Sequence, residues 1–186
     1  QSNRRPALRA AVLTAMKILG EQFVLGKDIE SAMRRAGKIG GLYSFDMLGE
    51  GARTDADALQ YLASYEQAIL AIGNHQKGEC PRTSNGISVK LSALHPRFEE
   101  RQQTICLPII RDRIHHLATL ARDRGLGLNL DEDECGRLEL TLDVFQWLAT
   151  EPSLKDFDGL GFVLQTYQKR ALDVATWFQT LATDHH

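Results

Sequence analysis

Gly86-Ile87-Ser88-Val89-Lys90-Leu91 opens on a glycine and alternates apolar with polar residues over the length of a β-strand. Downstream, Ile110, Ile114, Leu117 and Ala121 recur at helical spacing. The same strand-then-helix reading repeats on both sides. Upstream, Leu42 to Leu48 precedes Leu59, Leu62, Tyr65, Ile69 and Ile72, with Thr54 and Asp57 placed as a capping box at the helix start. Downstream, Gly127 to Asp131 precedes Leu138, Leu142, Phe145 and Ala149. Gly161 to Gln165 then precedes Val174, Phe178 and Leu181. Strands alternating with helices predict an α/β fold with parallel strands and right-handed crossovers.

A complete eight-unit barrel takes about 250 residues. This chain has 186, and about four βα units are visible in it. The expectation is half of a (β/α)8 TIM barrel over residues 41–183, with an open doubly wound sheet as the other closure. A helical segment over 4–40 precedes it. Leu8, Val12, Ala15 and Leu19 lie at helical spacing there, and a second helix over about Ile29 to Lys38 stops at Gly40-Gly41. Gln1-Ser2-Asn3 reads as a protease-cleavage scar and His185-His186 as a tag remnant.

Apolar residues are 43% and charged residues 25%, which excludes a disordered or fibrous chain. With 22 Lys plus Arg against 24 Asp plus Glu, the net charge is −2, so no basic excess argues for nucleic acid. Cys80, Cys106 and Cys135 lack zinc-ligand spacing and read as free thiols in a reducing compartment. No apolar run reaches the roughly 20 residues needed to span a bilayer. The expected location is cytoplasmic.

Side chains alternate across a strand. The faces carrying Phe45, Ile87, Val89, Leu128, Leu130 and Phe162 must meet the crossover helices. Asp46, Lys90, Asp131 and Gln165 then fall on the opposite face at or near the strand C-termini, the rim where α/β folds place their sites. Any one of them alone reads as a satisfied structural polar group; four in register indicate a site. Lys90 admits three readings: an ion pair with Asp46 or Asp131, a cationic clamp for a substrate carboxylate, or a Schiff-base nucleophile. Asp131-Glu132-Asp133-Glu134 has oxygens for a divalent ion, but Glu132, Asp133 and Glu134 read better as acidic residues opening a helix. No metal is expected. His95 before Pro96 reads as structural or exposed, and His115-His116 as surface residues of a helix. Gly37-Lys38-Ile39-Gly40-Gly41 is no P-loop, and neither a G-x-G-x-x-G nor a G-x-S-x-G motif is present.

These strand ends resemble one family. Tyr43-Ser44-Phe45-Asp46-Met47-Leu48-Gly49-Glu50 is similar to the first barrel strand of proline dehydrogenases, specifically the flavoprotein domain of bacterial proline utilisation A. Gly86 to Arg97 is similar to its second strand and following loop. Leu128-Asn129-Leu130-Asp131, with Glu132, Glu134, Arg137, Leu138 and Glu139, resembles its third unit, although Glu132-Asp133-Glu134 stands where Ala-Glu-Glu is usual. Gly161 to Arg170 resembles its fourth. The resemblance runs from about Arg4 to Ala182.

It implies an FAD-containing distorted barrel that oxidises L-proline to Δ1-pyrroline-5-carboxylate and passes electrons to a membrane quinone. Lys90 would hold the proline carboxylate, Asp131 would lie near flavin and substrate, and Gln165 would hydrogen-bond the flavin, with Val163 beside it. Glu50 would be a gate residue and Asp46 a supporting one. The family's fifth strand, and the late Tyr and paired Arg that grip proline, lie beyond this chain. An open half barrel exposes sheet edges and apolar faces, so self-association is expected, and the resemblance implies peripheral contact with the inner membrane for a full-length parent. Two further readings stand beside it: a half barrel that only associates, and a lyase acting through Lys90.

Overall fold

The computed structural model describes residues 4–49, 51–75, 78 and 80–185. The chain forms two compact units, Gln1–Gly41 and Leu42–His186.

The first unit holds α1 (Arg4–Phe23) and α2 (Ile29–Ile39). α2 begins with a capping box: the Asp28 carboxylate accepts from the Ser31 backbone N–H at 2.7 Å, and the Ser31 hydroxyl oxygen accepts from the Asp28 N–H at 3.2 Å. It ends at Gly40, whose φ of 85° lies where only glycine avoids strain. The helical spacing of Leu8, Val12 and Leu19 is realised in α1, but all three are exposed.

In the second unit the elements run β1 (Ser44–Asp46), α3 (Asp55–Asn74), β2 (Gly86–Lys90), α4 (Leu91–Leu94), α5 (Gln103–Asp123), β3 (Gly127–Asp131), α6 (Leu138–Ala149), β4 (Leu160–Val163) and α7 (Ala171–His185). The strands form one parallel sheet in the order β1-β2-β3-β4. Consecutive parallel strands joined by helices give a barrel-type sheet, here not closed by these four strands. The predicted box at α3 is present: Asp57 N–H donates to Thr54 Oγ1 at 3.1 Å, and Thr54 N–H to Asp57 Oδ2 at 2.9 Å.

Strand bounds differ from the sequence expectation at both edges. β1 keeps only three residues and β4 stops at Val163, so Gln165 lies in the following turn. Each edge strand pairs with one neighbour among the described residues, and a ladder on one side extends less far than one on both. The central strands match closely, since β2 and β3 are bonded on both sides.

The core lies between the sheet and its helices. Ile87, Val89, Leu128 and Leu130 are fully buried against Tyr65, Ile69 and Ile72 of α3, Ile110, Ile114 and Leu117 of α5, and Val144 and Leu148 of α6. Leu59, grouped by spacing with the α3 core face, is exposed instead. Phe145, Phe162 and Phe178 pack with centroids 4.8–5.7 Å apart and join α6, β4 and α7. No helix among the described residues is long and apolar enough to cross a membrane.

Candidate active site

The sheet face away from the helices is polar in two tiers. In the lower tier Ser44 Oγ lies 2.9 Å from Ser88 Oγ, and Asn129 Nδ2 donates to Ser44 Oγ at 2.9 Å. Gly161 completes this tier. A Cβ there would stand 2.0 Å from Asn129 Oδ1, so only glycine leaves room for the amide.

The upper tier, at the strand C-termini, holds the predicted residues. Register places Lys90 beside Asp131 and Asp131 beside Val163. Lys90 Nζ lies 3.0 Å from Asp46 Oδ1, 3.2 Å from Asp46 Oδ2 and 2.8 Å from Asp131 Oδ2. The ammonium thus sits between two carboxylates. The Lys90, Asp46 and Asp131 side chains are 26%, 38% and 17% exposed, so the cluster is half-buried and open to a ligand. From below, the buried Tyr65 hydroxyl accepts the Lys90 backbone N–H at 3.1 Å. Val163 is exposed.

A cleft of about 760 Å³ opens beside this cluster, lined by Lys90, Glu132, Asp133, Gln165, Tyr167 and Gln168 among others. Glu132 and Asp133 do not open a helix as the sequence suggested; α6 starts only at Leu138. The Glu132 N–H extends the ladder to Val163 O at 3.3 Å, and both carboxylates turn inward to bonds that a helix start would not supply. Asp133 Oδ2 accepts the Ser92 N–H at 3.1 Å and Oδ1 the Ser92 hydroxyl at 2.5 Å. It thereby caps α4 from outside and braces the junction that carries Lys90. Burial pushes its carboxyl above the ordinary value, against the lowering effect of the Ser92 bonds.

Glu132 is 2% exposed. Its Oε2 accepts the Gln165 N–H at 2.8 Å, its Oε1 accepts Gln168 Nε2 at 2.5 Å, and its carbonyl accepts Gln165 Nε2 at 3.3 Å. Gln165 Oε1 accepts the Tyr167 hydroxyl at 2.7 Å and Gln168 Nε2 at 3.1 Å. The predicted Gln165 therefore joins the cleft through the turn after β4.

The structure thus brings together Asp46, Lys90, Asp131, Val163 and Gln165 at one rim. Glu50 lies outside the described residues. Ser92, Glu132, Asp133, Tyr167 and Gln168 were given no individual role from the sequence. The detectable signal was an acidic pair directly after a strand end, followed thirty residues on by a Gln-rich strand end. His95 is buried, with Nδ1 accepting the Arg97 N–H at 3.1 Å, and burial lowers its pKa. His115 and His116 of α5 reach Ser153 at 2.7 Å and Glu66 at 2.8 Å, away from the cleft lining. Among the described residues no group of His, Cys, Asp and Glu is arranged to hold a metal ion.

Comparison with known proteins follows the same segments. The chain is 45% identical to the bifunctional protein PutA of Escherichia coli over 181 residues, which is 96% of this chain and 14% of that protein. It is 29% identical over 174 residues to the proline dehydrogenase of Deinococcus radiodurans, covering 90% of this chain and 51% of that one. A crystal structure of bifunctional proline utilization A superposes with a TM-score of 0.81 at 44% identity, covering 97% of this chain and 19% of that one. The Bdellovibrio bacteriovorus protein shares the fold at TM-score 0.85 and 21% identity. The chain spans about 14% of the length of the PutA relatives it matches. The proline dehydrogenase family profile covers residues 29–186, and the chain belongs to that family.

Proposed function

We propose that this chain is the first half of the catalytic barrel of an FAD-dependent proline dehydrogenase, oxidising L-proline to Δ1-pyrroline-5-carboxylate with a quinone as electron acceptor. The observation that carries this reading is the Asp46–Lys90–Asp131 cluster beside a cleft lined by Lys90 and Gln165, with Val163 next to Asp131 in register. When bound, FAD would supply the acceptor for the hydride equivalent leaving the proline ring.

The residues present fit such a group. Gln165 Nε2 has two N–H bonds and gives one to Glu132 O, leaving a donor for a ring acceptor. Exposed Val163 offers an apolar surface for a flat ring. Register puts Asp131 between Lys90 and Val163, where it would meet both a cofactor and a substrate.

Lys90 binds the substrate carboxylate, and Asp46 holds the Lys90 ammonium from the other side. The cluster of one cation and two anions carries net charge −1, so gripping an anion requires further positive charge from outside these residues. Glu50, outside the described residues, takes the role of gate that the family resemblance gives it.

The double ion pair weighs against the lyase reading. Two carboxylates at 2.8 and 3.0 Å hold an ammonium, whereas a Schiff-base lysine reacts as the neutral amine.

The test is a visible spectrum of the FAD-loaded full-length protein, then anaerobic L-proline. Bound flavin bleached by L-proline is the expected result. Bound flavin that L-proline leaves oxidised would overturn the substrate, and the absence of bound flavin would overturn the cofactor.

A further inference from the structure

The polar network around Glu132 has a direction. An ionised carboxylate only accepts hydrogen bonds. All three side-chain and backbone bonds reaching Glu132 from the turn after β4 come from N–H donors: the Gln165 N–H, Gln168 Nε2 and Gln165 Nε2. Because Glu132 Oε1 accepts from Gln168, the Gln168 amide must present its nitrogen there. The second hydrogen of that nitrogen goes to Gln165 Oε1 at 3.1 Å, where the Tyr167 hydroxyl also donates at 2.7 Å. With two donors on its oxygen, Gln165 must turn its nitrogen toward the Glu132 carbonyl. One N–H then remains for a ligand in the cleft. An amide is pseudo-symmetric, and its orientation is decided by the network around it. Here the network starts at a carboxyl group whose two oxygens both receive N–H donors.

We propose that Glu132 is the positioning residue for Gln165: its carbonyl directly, and its carboxylate through Gln168, set the sense of the Gln165 amide, so that a donor rather than an acceptor faces the flavin ring. This rests on the flavin reading above. Glu132 touches no reacting atom, and its buried carboxylate acts through the turn over residues 165–168.

Glu132→Gln tests the idea. The fixed donor at the Gln165 N–H takes the amide oxygen of a glutamine at 132, so its NH2 faces Gln168 in place of an acceptor and the carboxylate arm of the relay is lost. In the FAD-loaded full-length protein, E132Q is expected to weaken FAD binding about tenfold, the weight of one hydrogen bond, and to shift the bound flavin's visible spectrum. Gln165→Ala should do the same, and the double variant should bind FAD no more weakly than Q165A alone. Gln168→Leu removes the relay amide, and with it the donor to Glu132 Oε1, while keeping the Glu132 carbonyl in place, and should reproduce the spectral shift. In the protein without FAD, hydrogen exchange at the Gln165 amide should quicken in Glu132→Ala, which lacks the acceptor.

Additive losses from E132Q and Q165A would overturn the proposal, because Glu132 would then act independently of Gln165. An unchanged spectrum in E132Q and Q168L, with Q165A still impaired, would overturn it while leaving the flavin reading intact. Loss of FAD binding already in the parent protein, or indifference to Q165A, would sink the flavin reading itself and this inference with it.

Discussion

Lys90 supplies the cation of the rim cluster, and the proposed function gives it a substrate carboxylate to hold. Its ammonium is matched by Asp46 and Asp131 before any ligand arrives. Removing it leaves two carboxylates facing each other without a cation. Lys90→Met should lower kcat/KM for L-proline about 100-fold while the bound-flavin spectrum persists; kinetics and a spectrum on one preparation check both. Asp133 contributes differently. Burial raises its carboxyl above the ordinary 3.8, so the fold prefers the protonated acid. That stabilising preference is complete below the unfolded value and is lost as pH rises through the raised folded one. Asp133→Asn does not titrate. The melting temperature of the parent minus that of the variant should therefore fall as pH rises from about 4 toward neutrality. A difference that grows with pH would refute the burial argument.

The elements deliver these side chains by register. β2 and β3 are bonded on both sides, and their pairing sets Lys90 beside Asp131 without help from loops. Beneath them, Gly161 accepts the Asn129 side chain, which in turn donates to Ser44. Gly161→Ala puts a methyl 2.0 Å from Asn129 Oδ1 and must displace it. The expected cost is about 1–3 kcal/mol, read as a lower melting temperature, with the Asn129–Ser44 bond broken. A variant as stable as the parent would show that the tier yields freely. The strand centres, the helix after each strand and the Thr54–Asp57 cap were legible because period and capping chemistry are local. The strand ends were less legible. β1 and β4 are trimmed because partners, not composition, set where a ladder stops.

At the scale of the molecule, the sheet of the second unit has unpaired outer edges on β1 and β4 among the described residues. Val163, Leu42 and Leu48 are exposed near those edges, and Leu172 on α7 is exposed as well. Unpaired edges template further strand pairing. The isolated 186-residue chain should therefore associate in a concentration-dependent manner in sedimentation velocity. A sharp monomer across two decades of concentration would contradict this.

By itself the sequence determined the alternation of strands and helices, the polar face of the sheet, and the rim position of Asp46, Lys90, Asp131 and Gln165. Those follow from periods of two and 3.6 residues, which any single chain segment displays. Only the tertiary structure decided that Glu132 and Asp133 turn inward rather than cap a helix. Their partners, Ser92, Gln165 and Gln168, lie 33 to 41 residues away in the chain. A buried carboxylate is acceptable only where donors converge on it, and that convergence belongs to the fold rather than to any local run of residues.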